Sequence, residues 1–216
     1  MRHAWLVLQQ QNDYNKMNDI CATFEEWYLG DGTYPPLRRG QKVNLSFYVL
    51  PKEIKIVEDS DNYFNQIKLS DYSFCGLVIR NYSDSDKQII IVDTGDFKFY
   101  IEQYDKSFSP MVGQFISGTG QLLLDYYIWV ENLSHYENVP DIFYNFVVDK
   151  ILIVKMPEKF IHRHDKGLSA PTSLASTEYT DSDMIEIEDM HNERSDTSFY
   201  LLNLKQIDQR IKKTFT

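Results

Sequence analysis

The sequence predicts a mainly β protein: a small barrel or a strongly bent antiparallel sheet, with a helix at the C-terminal end. Three observations predict it. Apolar residues alternate with period two over several short stretches. Glycine and proline punctuate those stretches at turn spacing. The 216 residues include 15 Tyr and 13 Phe, types that favour pleated, half-buried surfaces.

The elements follow in order. "HAWLVLQ" and "DICATFEEWYL" read as strands, the second with a short helix as its alternative. "QKVNLSFYVLP" sets Val43, Leu45, Phe47 and Val49 on one face and Asn44, Ser46 and Tyr48 on the other, a half-buried strand stopped by Pro51. "CGLVIRNY" carries Gly76 inside an apolar run, as a bulged or sharply bent strand does. Ile89 to Val92 and Phe97 to Ile101 flank "DTGD", a hairpin whose glycine can take positive φ. In "VGQFISGTGQLLLDYYIWVEN" three glycines precede an alternation of Leu122, Leu124, Tyr126 and Ile128. "IFYNFVVDKILIVKMP" supplies a strand or strand pair ended by Pro157. Near the end, Phe199, Leu201 and Leu204 anchor the chain, while Ile207 and Ile211 predict a helix with Lys212 and Lys213 at its C-terminus.

Composition divides the chain into three parts. Residues 1–162 form the β core and 197–216 pack back on it. Between them, residues 163–196 hold nine acids against three basic residues, a net charge of −6 out of −10 for the whole chain. That composition predicts a long acidic loop, with "MIEIEDM" as a short edge strand. The overall charge argues against a phosphate-backbone binder, which needs a basic stripe. No run approaches the length of a membrane-spanning helix, and the start lacks the apolar core of a signal peptide. A cytoplasmic protein is the expectation, with Cys21 and Cys75 as buried thiols rather than a disulfide.

"GDGTYPPLRRG" (residues 30–40) offers Asp31 to a cation, or Arg38 and Arg39 to a carboxylate or phosphate. It lacks the repeated oxygen ligands of a calcium loop, and a strand follows it, so it reads as a corner that delivers Leu37 to the core. His162 and His164, with Asp165 and His191 as possible third ligands, have metal-ligand spacing but stand at the mouth of the acidic loop, which favours exposed histidines. Asp93, Asp96 and Asp125 are acids of a kind glycosidases pair, yet aspartates in turns commonly cap backbone amides. Trp27, Tyr28, Tyr34, Tyr126, Tyr127 and Trp129 would make a stacking face or fill the core. No cofactor and no nucleophile elbow is indicated.

The "RRGQKVNLSF" strand, Gly76 within its strand and about five strands over residues 40–156 resemble the oligonucleotide/oligosaccharide-binding (OB) barrel. The whole chain also resembles small acidic proteins of Gram-positive bacteria, some of which are immunity proteins for secreted toxins. Two functions are therefore expected. The first is a non-enzymatic interaction protein, in its specific form an immunity protein neutralising a basic toxin. Its acids Asp181, Asp183, Glu186, Glu188 and Asp189 would steer the partner, with Tyr34 and Trp129 as anchors. The alternative is an OB-like module for single-stranded nucleic acid or a glycan, using Arg38, Arg39, Lys42, Lys52 and Lys55.

Overall fold

A computed structural model describes residues 19–25, 29, 35–58, 60–83, 87–104, 107–125, 133, 135–155, 184–192 and 198–207. Ten strands dominate: β1 (Asp19–Glu25), β2 (Lys42–Val57), β3 (Tyr63–Lys68), β4 (Asp71–Ser83), β5 (Gln88–Asp93), β6 (Lys98–Gln103), β7 (Phe115–Asp125), β8 (Tyr144–Lys155), β9 (Met184–Ile187) and β10 (Ser198–Gln206). The mainly β expectation is met by one large, bent sheet.

Its hydrogen bonding closes into two five-strand rings that share β2 and β7. The first runs β4–β5–β6–β2–β7 and back to β4, and the second runs β2–β7–β1–β10–β8 and back to β2. Each ring holds one parallel contact and each such contact is a single residue pair, Tyr48 with Tyr100 and Thr23 with Leu123. The result is ring-like without being a regular barrel. β3 flanks β4 and β9 flanks β8.

Strand β2 departs from expectation. It runs through Pro51, because the ladder to β7 shifts register between Pro51 and Glu53. A proline lacks the N–H that a ladder uses, and a bulge is where that loss is tolerated. The 16-residue strand is thereby long enough to serve both rings. In β7, Leu122, Leu123 and Leu124 are all buried rather than alternating, since this strand is covered on both faces. The DTGD hairpin forms as expected, with Gly95 at φ 93° and its N–H donating to Asp93 Oδ1 (2.8 Å).

A single apolar core extends through both rings, with residues from every strand except β3 buried in it and Phe64 of β3 packed against it. Aromatic rings bridge its two halves: Phe64 lies 5.1 Å from Phe97, Phe97 lies 5.5 Å from Phe47, and Phe47 meets Phe146 edge-on at 5.5 Å. The outer face of β5 and β6 is covered too. Leu133, Tyr136, Val139, Ile142 and Phe143 pack over Ile89, Ile91 and Tyr100.

The C-terminal run is described as far as Ile207. Residues 198–206 are strand, with Tyr200, Leu202 and Leu204 in the main core and Phe199 and Leu201 in a second cluster beside Cys21 and Val154. The helix predicted from Ile207 and Ile211 lies outside the described residues except for Ile207. That residue still follows the neighbouring strand, its N–H donating to the Asn145 carbonyl (2.9 Å).

Polar side chains secure the ring closures. Beside the Thr23–Leu123 contact, Thr23 Oγ1 donates to Ser70 Oγ (2.9 Å), and Gln121 Nε2 donates to Thr23 Oγ1 (2.8 Å). All three residues are at most 3% exposed. Thr23→Val keeps the shape but strips both hydroxyl contacts, so urea denaturation should show a loss of about 1–3 kcal/mol. An unchanged midpoint would mean the closure does not depend on this network.

Two tyrosine hydroxyls accept backbone N–H groups: Tyr72 from Cys21 (2.8 Å) and Tyr144 from Lys98 (2.7 Å). Burial pushes the Tyr144 hydroxyl up to about 12, against the lowering effect of the Lys98 N–H, and burial also raises Tyr72. A raised folded pKa favours folding while the phenol is neutral. Stability is therefore fully present below the ordinary value of about 10 and declines as pH climbs toward 12. Denaturant melts across that interval, read with tyrosinate absorbance, should show ionisation and unfolding together.

Candidate functional site

The corner formed by residues 35–40 is built from local chemistry. Leu37 is 1% exposed and enters the core, while Gly40 turns the chain at φ 80° into β2. This leaves Arg38 and Arg39 on the surface, beside β8 and the acidic segment. The main chains meet as well: Arg39 N–H donates to the Glu188 carbonyl (2.9 Å), Met190 N–H to the Leu37 carbonyl (3.1 Å), and Gly40 N–H to the Val148 carbonyl (2.7 Å).

The arginines hold carboxylates, and those carboxylates belong to the same chain. Arg38 Nε lies 2.8 Å from Asp189 Oδ2. Arg39 Nη1 lies 3.0 Å from Glu188 Oε1 and 3.6 Å from Glu186 Oε1, and Lys150 Nζ lies 2.9 Å from Glu186 Oε2. The hydrogen bond to Glu188 and its charge raise the Arg39 pKa, holding the guanidinium charged. Beneath the charges, Ile187 is 6% exposed and Met190 is fully buried, with Leu37 N–H donating to Met190 Sδ (3.4 Å). β9 adds to the edge of β8, Ile187 opposite Ile151 and Met184 opposite Val154. The segment 184–192 is thus docked by strand addition, by apolar anchors at 187 and 190, and by three cations.

Of the nominated partner-binding residues, Glu186, Glu188 and Asp189 come together here. Asp181, Asp183, Tyr34 and Trp129 lie outside the described residues, as do Asp31, Trp27, Tyr28, Tyr126 and Tyr127. The Glu188 side chain is 74% exposed and that of Asp189 21%. The histidine pair His162 and His164 also lies outside, while His191 is exposed; among the described residues no group of three His, Cys, Asp or Glu could hold a metal ion.

The other constellations are dispersed. Asp93 caps its hairpin turn and pairs with Lys98 (3.7 Å). It stands across from Leu77, which also faces Phe115 at the start of β7, whereas Asp125 ends that strand. Ten residues of extended chain set these acids about 30 Å apart along it. Of the basic residues named for nucleic acid, Arg38 and Arg39 are paired as above, Lys52 Nζ donates to Asp71 Oδ2 (2.8 Å), and Lys42 and Lys55 stand near opposite ends of β2. Cys21 and Cys75 are free and buried as expected, and burial raises the Cys21 thiol to about 12, far from a nucleophilic thiolate.

The sequence reading missed Lys150 and the pairing of the two loops. Opposite charge in residues 38–39 and 186–189 was the available signal. The reading also missed a shallow groove of about 380 Å³ on the outer side of the first ring, lined by Lys55, Tyr63, Ser73, Ser117 and Thr119 among others. Among the described residues, no helix is long and apolar enough to cross a membrane. Comparison with known proteins gives no match to a family model, a curated protein or a solved structure.

Proposed function

We propose that this is a non-enzymatic interaction protein that captures a basic protein, in its specific form a secreted toxin neutralised by an acidic immunity protein. The observation that carries the reading is the outer side of β9. There Glu186, and Glu188 just past the strand's end, keep side chains 42% and 74% exposed while paired with Arg39 and Lys150, and Ile185, 43% exposed, stands on the strand's other face at the end of the sheet. Acids that steer a cationic partner next to an apolar contact have the make-up of an interface. The −10 net charge extends that field over the molecule. The toxin as partner rests on the resemblance to small acidic immunity proteins.

The test is a tagged pull-down from the native cells, run with the wild type and with Glu186→Gln/Glu188→Gln. A basic protein recovered in a stoichiometric complex, and lost with the double variant, supports the reading. Equal recovery by both forms would place the interface elsewhere and overturn it.

The groove at Lys55 and Tyr63 favours a second reading, an OB-like module for a glycan or single-stranded nucleic acid. Its hydroxyls and aromatic ring suit sugars, and a lysine suits a phosphate. Binding of oligonucleotides that falls steeply with salt would support that version, and no binding of oligonucleotide or glycan at low salt would remove it.

A further inference from the structure

We propose that the outer edge of β8, together with Arg38, Arg39 and Lys150, is a docking site for an acidic extended peptide, which the chain's own residues 184–190 occupy in cis and which an acidic strand from a partner can enter in their place. This goes beyond the capture of a basic protein and does not depend on it.

The seated segment shows what the site takes. Backbone pairing to Ile151–Val154 fixes an extended conformation, as in strand-addition recognition. Apolar side chains at 187 and 190 enter the core, and acids at 186, 188 and 189 reach the three cations. The specificity is thus an acid and an apolar residue in extended chain (186 and 187), then two acids and a second apolar residue where the chain leaves the strand and enters a 3-10 turn at Met190. Cations that recognise carboxylates at a strand edge make a selective surface, since a neutral strand would leave them without counter-charges.

Exchange is favoured by the segment's place at the sheet edge, where its hold on the main core is confined to Ile187 and Met190. β9 has four residues and pairs only with β8 among the described residues. Its ion pairs are open to solvent: side-chain exposures are 47% and 74% for Arg39 and Glu188, and 37% and 42% for Lys150 and Glu186. Such pairs are screened by salt and re-form with any equivalent carboxylate. β10 is different, lying between two strands over nearly its whole length with Tyr200, Leu202 and Leu204 buried. The edge segment should therefore open locally more readily than β10.

The experiment uses a fluorescein-labelled peptide of residues 184–192 and the full chain. In Ile187→Asp/Met190→Asp the resident segment loses its anchors while Arg38, Arg39, Lys150 and β8 stay intact. That variant should bind the peptide about tenfold or more tightly than wild type, because no cis segment competes. Adding Arg38→Ala/Arg39→Ala should cost about tenfold, and raising salt from about 0.05 to about 0.5 M should weaken binding further. A vacated variant that keeps its circular dichroism yet does not bind, or binds equally without the arginines, overturns the proposal.

Hydrogen exchange on the wild type tests the same idea without a variant. Amides of β9 should exchange at least about tenfold faster than those of β10, and faster still at high salt. Equal protection of the two strands, unmoved by salt, would also overturn it.

Discussion

Gly118→Ala lowers stability by about 3 kcal/mol or more, toward the upper end for a single added methyl. The reason is the strand pairing that both rings share. A Cβ at Gly118 would stand 2.2 Å from the Glu53 carbonyl oxygen and 3.1 Å from Cζ of Phe74. The oxygen belongs to the backbone of β2 just past its bulge, so it moves only if the strand moves. Phe74 is fully buried and packs edge-on to Phe99, so it has nowhere to turn. Ser117→Ala, one residue earlier, is the control, and a surface-type change there should stay within about 0.5–1 kcal/mol. Urea denaturation of the two variants decides the matter; a Gly118 loss no larger than the control would show that the strands separate more easily than the geometry indicates.

Phe47→Ala costs about 3–5 kcal/mol, the range for removing a fully buried aromatic ring. For a chain of this size that lowers Tm by roughly 10 °C. Phe47 touches Phe97 of the first ring and Phe146 of the second, and its own strand is common to both. The cavity is therefore felt on both sides. Thermal unfolding should remain one transition, coincident by circular dichroism and aromatic fluorescence, in the variant as in the wild type. Two separated transitions would mean that the rings are independent units.

Much of the strand content was legible because its signals are local. Val43, Leu45, Phe47 and Val49 lie on one face of β2 and Asn44, Ser46 and Tyr48, which carry polar groups, on the other, and that asymmetry leaves a period of two. Asp93-Thr94-Gly95-Asp96 shows its turn in the residue types themselves. The signal fails where both faces are covered, as in β7, whose leucine run carries no phase. It fails again at β3, where four of six residues are exposed and Phe64 alone reaches the core. The proline at 51 misled because its meaning depends on a bulge opposite Gly120 and Thr119, about seventy residues away.

The candidate site was half visible. Glu186, Glu188 and Asp189 stood out as acids, and Arg38 and Arg39 as cations fit to hold a carboxylate, yet opposite charge alone does not single out these two stretches among the chain's many charged ones. Exposed ion pairs leave no periodic trace, and the distance in sequence between the partners is about 150 residues. Lys150 was invisible because one lysine among the polar positions of its strand carries no mark of its partner.

What the sequence by itself determined is the β character, the acidic balance, the turn at Gly95 and the burial of Leu37 and both cysteines. Each follows from side-chain size, polarity or backbone freedom within a few residues. Only the tertiary structure decided that two rings share β2 and β7, that the C-terminal apolar run becomes an inner strand, and that the acidic segment is seated on the arginine corner. These depend on which distant strands find each other, and that choice is made by packing and hydrogen-bond closure across the whole sheet.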